Sequence, residues 1–267
     1  MTAPFVLLQP DQAGFPRRLA ALGWRQPLYL RGVLGGGQSI AIVGARAGTA
    51  TGMARAHAIA RHLAGRGVHI VSGGALGIDG ASHRGALDGL GTTTVVLGSG
   101  IDVAYPARHR GLFDDVIATG GALVSLLPPG VQPQRYTFLR RNPLIAALAD
   151  AVIVVEADVR SGSLSTARAA HELGRIVAAW PGSRGCERLL ALGAAVVENP
   201  EDAERVLAGT PRHREPLALD PVTARVAEAL RAGILGVDAI VAHTGLSVRA
   251  VLRALPLIED SCIARKP

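Results

Sequence analysis

Six short apolar runs, each followed by a turn rich in glycine, proline or hydroxyl side chains and several by an amphipathic stretch, constrain this chain most. They are IAIV (40–43), VHIV (68–71), TTVVL (93–97), ALVSL (122–126), AVIVV (151–155) and IVAAW (176–180). Their length and β-branched content suit strands buried on both faces. Between the first two, Ala56, Ile59, Ala60, Leu63 and Ala64 recur at the 3.6-residue spacing of one buried helix face, which stops at Gly65 and Gly67. Similar helices are read over 80–90, 142–149 and 163–174. The repeating unit is therefore βα, which predicts an α/β fold with a parallel sheet and helices on both of its faces.

The pattern changes near Thr210. Residues 211–220 are polar, rich in proline and without apolar periodicity, and read as a linker; residues 1–35 read as a short lead-in and 36–210 as the α/β domain. Beyond the linker, 221–232, 237–243 and 247–254 read as three helices, and PLIED (256–260) with SCIAR (261–265) as a small hairpin. Together these give 221–267 a winged-helix outline, a form that serves nucleic-acid binding and protein contact alike.

At 267 residues the chain has room for one large domain and a small one. No uninterrupted apolar run approaches about 20 residues, so no membrane span is expected. The start lacks a basic segment ahead of its apolar stretch, which predicts no secretory signal and a cytoplasmic location. Cys186 and Cys262 stand far apart in no ligand-like spacing, and the histidines form no pair at zinc spacing, so neither a disulfide framework nor a metal site is expected. With 28 basic against 21 acidic residues the formal charge is +7, which favours polyanionic partners.

The chemistry lies at the carboxyl ends of the strands, where open α/β sheets bind ligands. GARAGTATG (44–52), SGGALGID (72–79) and GSGIDVAYP (98–106) follow the first three runs. Gly44, Gly73, Gly74 and Gly98, with Ser72, would let backbone amides approach a phosphate at the start of the next helix. Charged clusters FLRRN (138–142) and EADVRSGSLSTA (156–167) flank AVIVV, and their arginines and hydroxyls suit an oligoanion. A GxxxxGK[ST] loop, a GxGxxG turn and an acidic end to the second strand are all missing, which removes ATPase and dehydrogenase readings. His83 follows Asp79 by one helical turn, so Asp79 is placed to orient its imidazole.

Taken in order, VGAR, SGGALGID with ASHRGAL, VLGSGIDVAYP, LLPPG, FLRRNPLIAAL, VVEA, RSGSLSTARAAHELGR and PG resemble the DNA-processing protein A (DprA/Smf) family, as does FPRRLAALGWRQPLYLRG (15–32). The resemblance covers roughly 15–207 and implies an extended Rossmann-like fold that binds single-stranded DNA without catalysis or cofactor. It further implies loading of the RecA recombinase during natural transformation, a homodimer, and a C-terminal winged helix. Carried over, the DNA pocket includes Arg46, Arg140, Arg141, Asn142 and Arg160, with Ser161, Gly162, Ser163 and Thr166 as short donors. Tyr136 and Phe138 are the candidates for base stacking, Phe138 being equally suited to the core. Leu76, His109, Leu126 and Pro143 depart from the family's usual residues. The loop after Gly182 is shorter, and Glu187 stands where relatives have asparagine, so that either its carboxylate points away from the phosphate or DNA binding is reduced.

Two other readings use the same pocket. Cytokinin-activating phosphoribohydrolases carry GGxGTxxE, whose glutamate lies three residues after the threonine. Here that position is Ala169, and Glu172 comes nearly one helical turn later. A nucleotide sensor would use the pocket without chemistry.

Overall fold

All six apolar runs form strands of one sheet: β3 (Ser39–Gly44), β4 (His69–Gly73), β5 (Thr93–Val96), β6 (Ala122–Ser125), β7 (Ala151–Glu156) and β8 (Ile176–Ala179). The computed structural model describes residues 4–12, 14–214 and 220–262, the side chains of 231 and 256–262 excepted. Three further strands, β1 (Val6–Leu8), β2 (Leu28–Gly32) and β9 (Ala195–Val196), complete the order β1-β2-β6-β5-β4-β3-β7-β8-β9.

From β6 to β9 every neighbouring pair is parallel, whereas β2 pairs antiparallel with both β6 and β1. The parallel reading thus holds for seven strands, and the lead-in adds an antiparallel edge, a common supplement to parallel sheets. The helix between β1 and β2, Arg17–Ala21, has only five residues, too short to show a helical period, so the sequence had little to mark these strands.

The chain leaves β3 in one direction through β4, β5 and β6, then crosses back to place β7 on β3's other side. The switch of direction lies between β3 and β7, paired from Ile40↔Ala151 to Val43↔Val154 before the register shifts at Gly44. In open α/β sheets the crevice outside this point is the usual ligand site.

Side chains alternate across these strands. Ala41, Val43, Val152 and Val154 face one core with α1 (Arg17–Ala21), α5 (Arg135–Ala147), α6 (Ser163–Glu172) and α7 (Arg184–Ala191). Ile40, Ile42, Ile153 and Val155 face another with α2 (Ala50–Ala64), α3 (Ile78–Asp88) and α8 (Pro200–Leu207). Near β5 and β6, α4 (Arg110–Ala118) closes a smaller cluster around Phe113 and Val116. Burial on both sheet faces, at about 25 cal/mol per Å² of apolar surface, is the main force holding the sheet.

Helix α5 begins seven residues before the expected start at Asn142. The Gln134 N–H donates to Thr137 Oγ1 and the two residues form a capping box, so the helix runs through Pro143. Its buried stripe is Thr137, Arg141, Leu144, Ile145 and Leu148, with a guanidinium where an apolar side chain is usual. That substitution hid the periodicity.

Past the sheet, the Arg212 carbonyl accepts from Val196 N–H and His213 bridges Ala195, so the first linker residues extend the β9 edge. Three helices follow, α9 (Pro221–Arg231), α10 (Val237–Thr244) and α11 (Val248–Cys262). They pack around Val226, Ala229, Ile240 and Val251. The expected hairpin is corrected: 256–262 continue α11, and 263–265 lie outside the described residues. Val251, Ala254 and Leu255 keep one helical face in i, i+3, i+4 spacing, and the helix runs on past Pro256.

Candidate nucleic-acid interface

Loops at the carboxyl ends of β3 and β7, the start of α3, helix α5 and the first turn of α6 enclose a cavity of about 470 Å³ outside the switch point. Gly44, Arg46, Phe138, Arg141, Asn142, Arg160, Ser161, Gly162, Ser163 and Thr166 all line it, joined by Asp79, Arg135 and Ser165. Ser72, Gly73, Gly74, Gly98, Tyr136 and Arg140 do not.

The arginines divide into two kinds. Arg46, Arg135 and Arg160 are exposed at the rim, whereas Arg141 is 5% exposed and lies beneath the floor. Arg141 Nη2 stands 3.9 Å from Asp79 Oδ2, while its buried Nε and Nη1 have no hydrogen-bond partner. Burial lowers the Arg141 pKa to about 10 and raises that of Asp79, each opposed by the charge of the other. Arg141, expected in the DNA pocket, thus lines it as a buried cation beside Asp79, and Arg140 is exposed outside the cavity.

The glycines expected to approach phosphate serve these side chains instead. A Cβ at Gly73 would overlap the Arg141 guanidinium, and one at Gly98 would lie 2.5 Å from the Phe138 ring. Gly44 fits against Ile78 and the Glu156 backbone, Gly74 against Phe113, and Ser72 donates to the Ile42 carbonyl inside the core. A strand-end glycine reads the same in sequence whether it admits a ligand or a side chain from another helix.

Helix N-termini here also differ in availability. At α2 the Glu156 carboxylate accepts from Thr49 N–H and Oγ1, and Thr49 Oγ1 in turn accepts from Gly52 N–H. Ahead of α3, Asp79 accepts from Ala75 N–H at 3.3 Å. At α6 no acidic residue stands in the first turn, and Ser161 and Ser163 lie 2.7 Å apart at its start. No side-chain carboxylate there offsets the partial positive charge of the helix end.

Asn142 holds that turn in place. Its Nδ2 donates to the Gly162 carbonyl at 3.0 Å and to Ser165 Oγ at 2.6 Å, tying α5 to α6. Phe138 is half-buried over Gly98, 5.7 Å from the Tyr105 ring, and carries the Arg46 guanidinium 4.3 Å from its centroid. Tyr136 is 59% exposed and stands apart.

Other expectations are revised by the hydrogen bonding. His83 contacts Thr93 Oγ1 and the Gly73 carbonyl, not Asp79. His109, also buried, contacts the Gly74 carbonyl and so closes the second glycine turn. Glu187 faces away from any phosphate: it accepts from Gly182 N–H at 2.7 Å and from Arg214 at 2.6 Å, which together lower its pKa. The shortened loop closes through Ser183, whose Oγ accepts from Ala157 N–H.

A larger cavity of about 680 Å³ lies at the opposite, amino end of the strands. Of its basic side chains Arg18 is engaged by Asp150 and the Gly37 and Leu148 carbonyls and His69 by Thr92 and Thr94, while Arg17 stands exposed at its edge. Among the described residues no group of three or more His, Cys, Asp or Glu side chains could hold a metal ion, and no helix is long and apolar enough to cross a membrane.

The family model for DNA recombination-mediator protein A matches residues 6–208. The chain belongs to the DprA family. A model for the DprA winged helix domain matches 210–259, the region of α9 to α11. A putative DNA processing protein DprA of Mycobacterium tuberculosis is 44% identical over 243 residues, covering 85% of this chain and 62% of the relative. Protein Smf of Escherichia coli is 43% identical over 195 residues, 70% of this chain and 52% of its own. The chain thus spans between half and two thirds of these relatives. Among solved structures, DprA of Streptococcus pneumoniae aligns with a TM-score of 0.68 at 34% identity, over 75% of this chain and 73% of that one. DprA of Helicobacter pylori, described for its single-stranded DNA binding mode, aligns with a TM-score of 0.67 at 29% identity, over 79% and 98%.

Proposed function

We propose that this DprA-family chain binds single-stranded DNA at the β3/β7 switch point, through its phosphates and without chemistry. The observation that carries this is the pairing of exposed, rim-standing Arg46 and Arg160 with the N-terminus of α6, whose first turn has no acidic residue, whereas Glu156 engages that of α2 and Asp79 lies in that of α3. A phosphodiester there receives guanidinium and hydroxyl donors together. Ser161, Gly162, Ser163 and Thr166 supply the short donors, Asn142 and Arg141 hold the frame, and Phe138 offers the ring nearest the rim.

Absence of catalysis is the companion proposal. Asp79, the only carboxylate lining the cavity among the described residues, is buried beside Arg141, and the position of a phosphoribohydrolase glutamate is the buried Ala169. In keeping with the family, the bound strand is shielded and passed to the RecA recombinase, by a homodimer in the cytoplasm. The chain's division into lead-in, α/β domain, linker and C-terminal winged-helix-like unit belongs to the same reading.

Gel-shift titration with single- and double-stranded oligonucleotides tests the site. Arg46→Ala with Arg160→Ala is expected to lose most single-strand binding while melting as the wild type does. Undiminished binding by that variant would remove the assignment. The cavity volume also suits one nucleotide, so competition by mononucleotides at micromolar concentration would favour a nucleotide sensor instead.

A further inference from the structure

Beyond the cavity, on the far side of β7, a second arginine rests on a second aromatic ring. Trp180 directly follows β8, its backbone N–H donating to the Val154 carbonyl, so it stands at the same carboxyl edge of the sheet. The Arg55 guanidinium, from the second turn of α2, lies 4.7 Å from the Trp180 ring centroid. Both side chains are half-buried, and the indole packs against the core beneath α2. Among the described residues no carboxylate pairs with Arg55.

Structurally this repeats Arg46 over Phe138 at 4.3 Å. Adjacent strands are about 4.8 Å apart, so β8 lies roughly 10 Å from β3, with β7 between them. The carboxylate on that path, Glu156, is engaged by Thr49 and would not oppose a passing phosphate as a bare anion.

We propose that Arg55 and Trp180 form a second contact for single-stranded DNA, taken up by nucleotides that leave the cavity across β7 towards β8. This rests on the DNA-binding reading above. A guanidinium carried on an aromatic ring is already oriented and partly desolvated, so it loses little freedom on binding. Its outer face stacks a base and its edge donors reach the adjoining phosphate. Packing alone explains a half-buried indole but not an unpaired arginine held over it.

Replacing Trp24 by Phe leaves Trp180 as the only tryptophan, since the chain has two. In that background the emission of Trp180 should change on adding an oligothymidylate of about 16 residues and stay unchanged with a thymidine dinucleotide, which is too short to reach from the cavity to β8. Arg55→Ala should weaken the longer oligomer about five- to twentyfold and reduce the log K against log[salt] slope by about 0.7, leaving the shorter one unaffected. Trp180→Ala should weaken the longer oligomer similarly, with Trp180→Phe recovering part of the loss. Unchanged Trp180 emission, together with wild-type affinity and slope for Arg55→Ala, would overturn the inference. Should Trp180→Ala fail to fold, Arg55→Ala and the emission still decide. If Arg46→Ala with Arg160→Ala abolishes binding while Arg55→Ala binds the longer oligomer as the wild type does, the cavity stands and the second contact falls. If the wild type binds neither oligomer, both fall.

Discussion

Arg141 and Asp79 form a buried pair beneath the cavity floor, Nη2 to Oδ2 3.9 Å, with side chains 6% and 8% exposed. At that separation the contact is electrostatic and not a hydrogen bond. Both side chains are almost fully buried, so removing one leaves a buried charge alone. Arg141→Ala and Asp79→Ala should each destabilise the fold by about 3–5 kcal/mol, and the apolar pair Arg141→Met with Asp79→Leu by much less than their sum. Urea unfolding of the four proteins checks this. DNA binding lost in Arg141→Ala alone would therefore report on folding as well as on the site.

Arg160 is the opposite case. It is exposed, and its replacement by Ala should leave stability within about 0.5 kcal/mol of wild type. The single-strand affinity should fall about tenfold at low salt, with the log K against log[salt] slope shallower by about 0.7. Anisotropy titrations at several salt concentrations measure both. A slope equal to that of the wild type would place Arg160 off the phosphate path.

Acid should destabilise this protein through two buried imidazoles. Burial holds His69 and His83 down to about 4 from the usual 6.5, so both are neutral in the folded state at pH 7. For His83 the Gly73 carbonyl can only accept, which puts the proton on Nε2 and leaves Nδ1 and the Ile70 carbonyl to share the one Thr93 hydroxyl proton. Below pH 6.5 the unfolded chain takes up protons that the folded chain does not, so stability falls from pH 6.5 towards 4. At pH 5 the loss is about 2 kcal/mol per histidine. Unfolding at pH 7 and pH 5 should show it, and His83→Gln should remove roughly half.

Glu187 should matter little to DNA. Its partners are Gly182 N–H and Arg214, and its side chain is 43% exposed. Glu187→Gln should change single-strand affinity less than about twofold and stability by no more than about 1 kcal/mol. A gain in affinity of tenfold would restore it to the phosphate path.

Apolar periodicity made the six central strands and most helices legible, because a strand buried on both faces leaves almost no freedom in residue type. The ordered DprA-like strings brought Arg46, Asn142, Arg160 and the RSGSL turn to one edge, and these do line one cavity. Other roles were not written locally. Gly73 and Gly98 look like phosphate turns, yet one clears space for Arg141 and the other for Phe138, each reaching in from α5. The N-terminus of α2 looks open until Glu156, over a hundred residues away in sequence, fills it.

The sequence by itself determined the βα alternation, the family and the set of arginines, since these follow from spacing and residue type along the chain. Only the tertiary structure decided which arginine is buried and which is free, which helix N-terminus stays open, and where Glu187 points. Burial and pairing depend on neighbours distant in sequence, and a charge is available to a ligand only when no nearer group has already answered it.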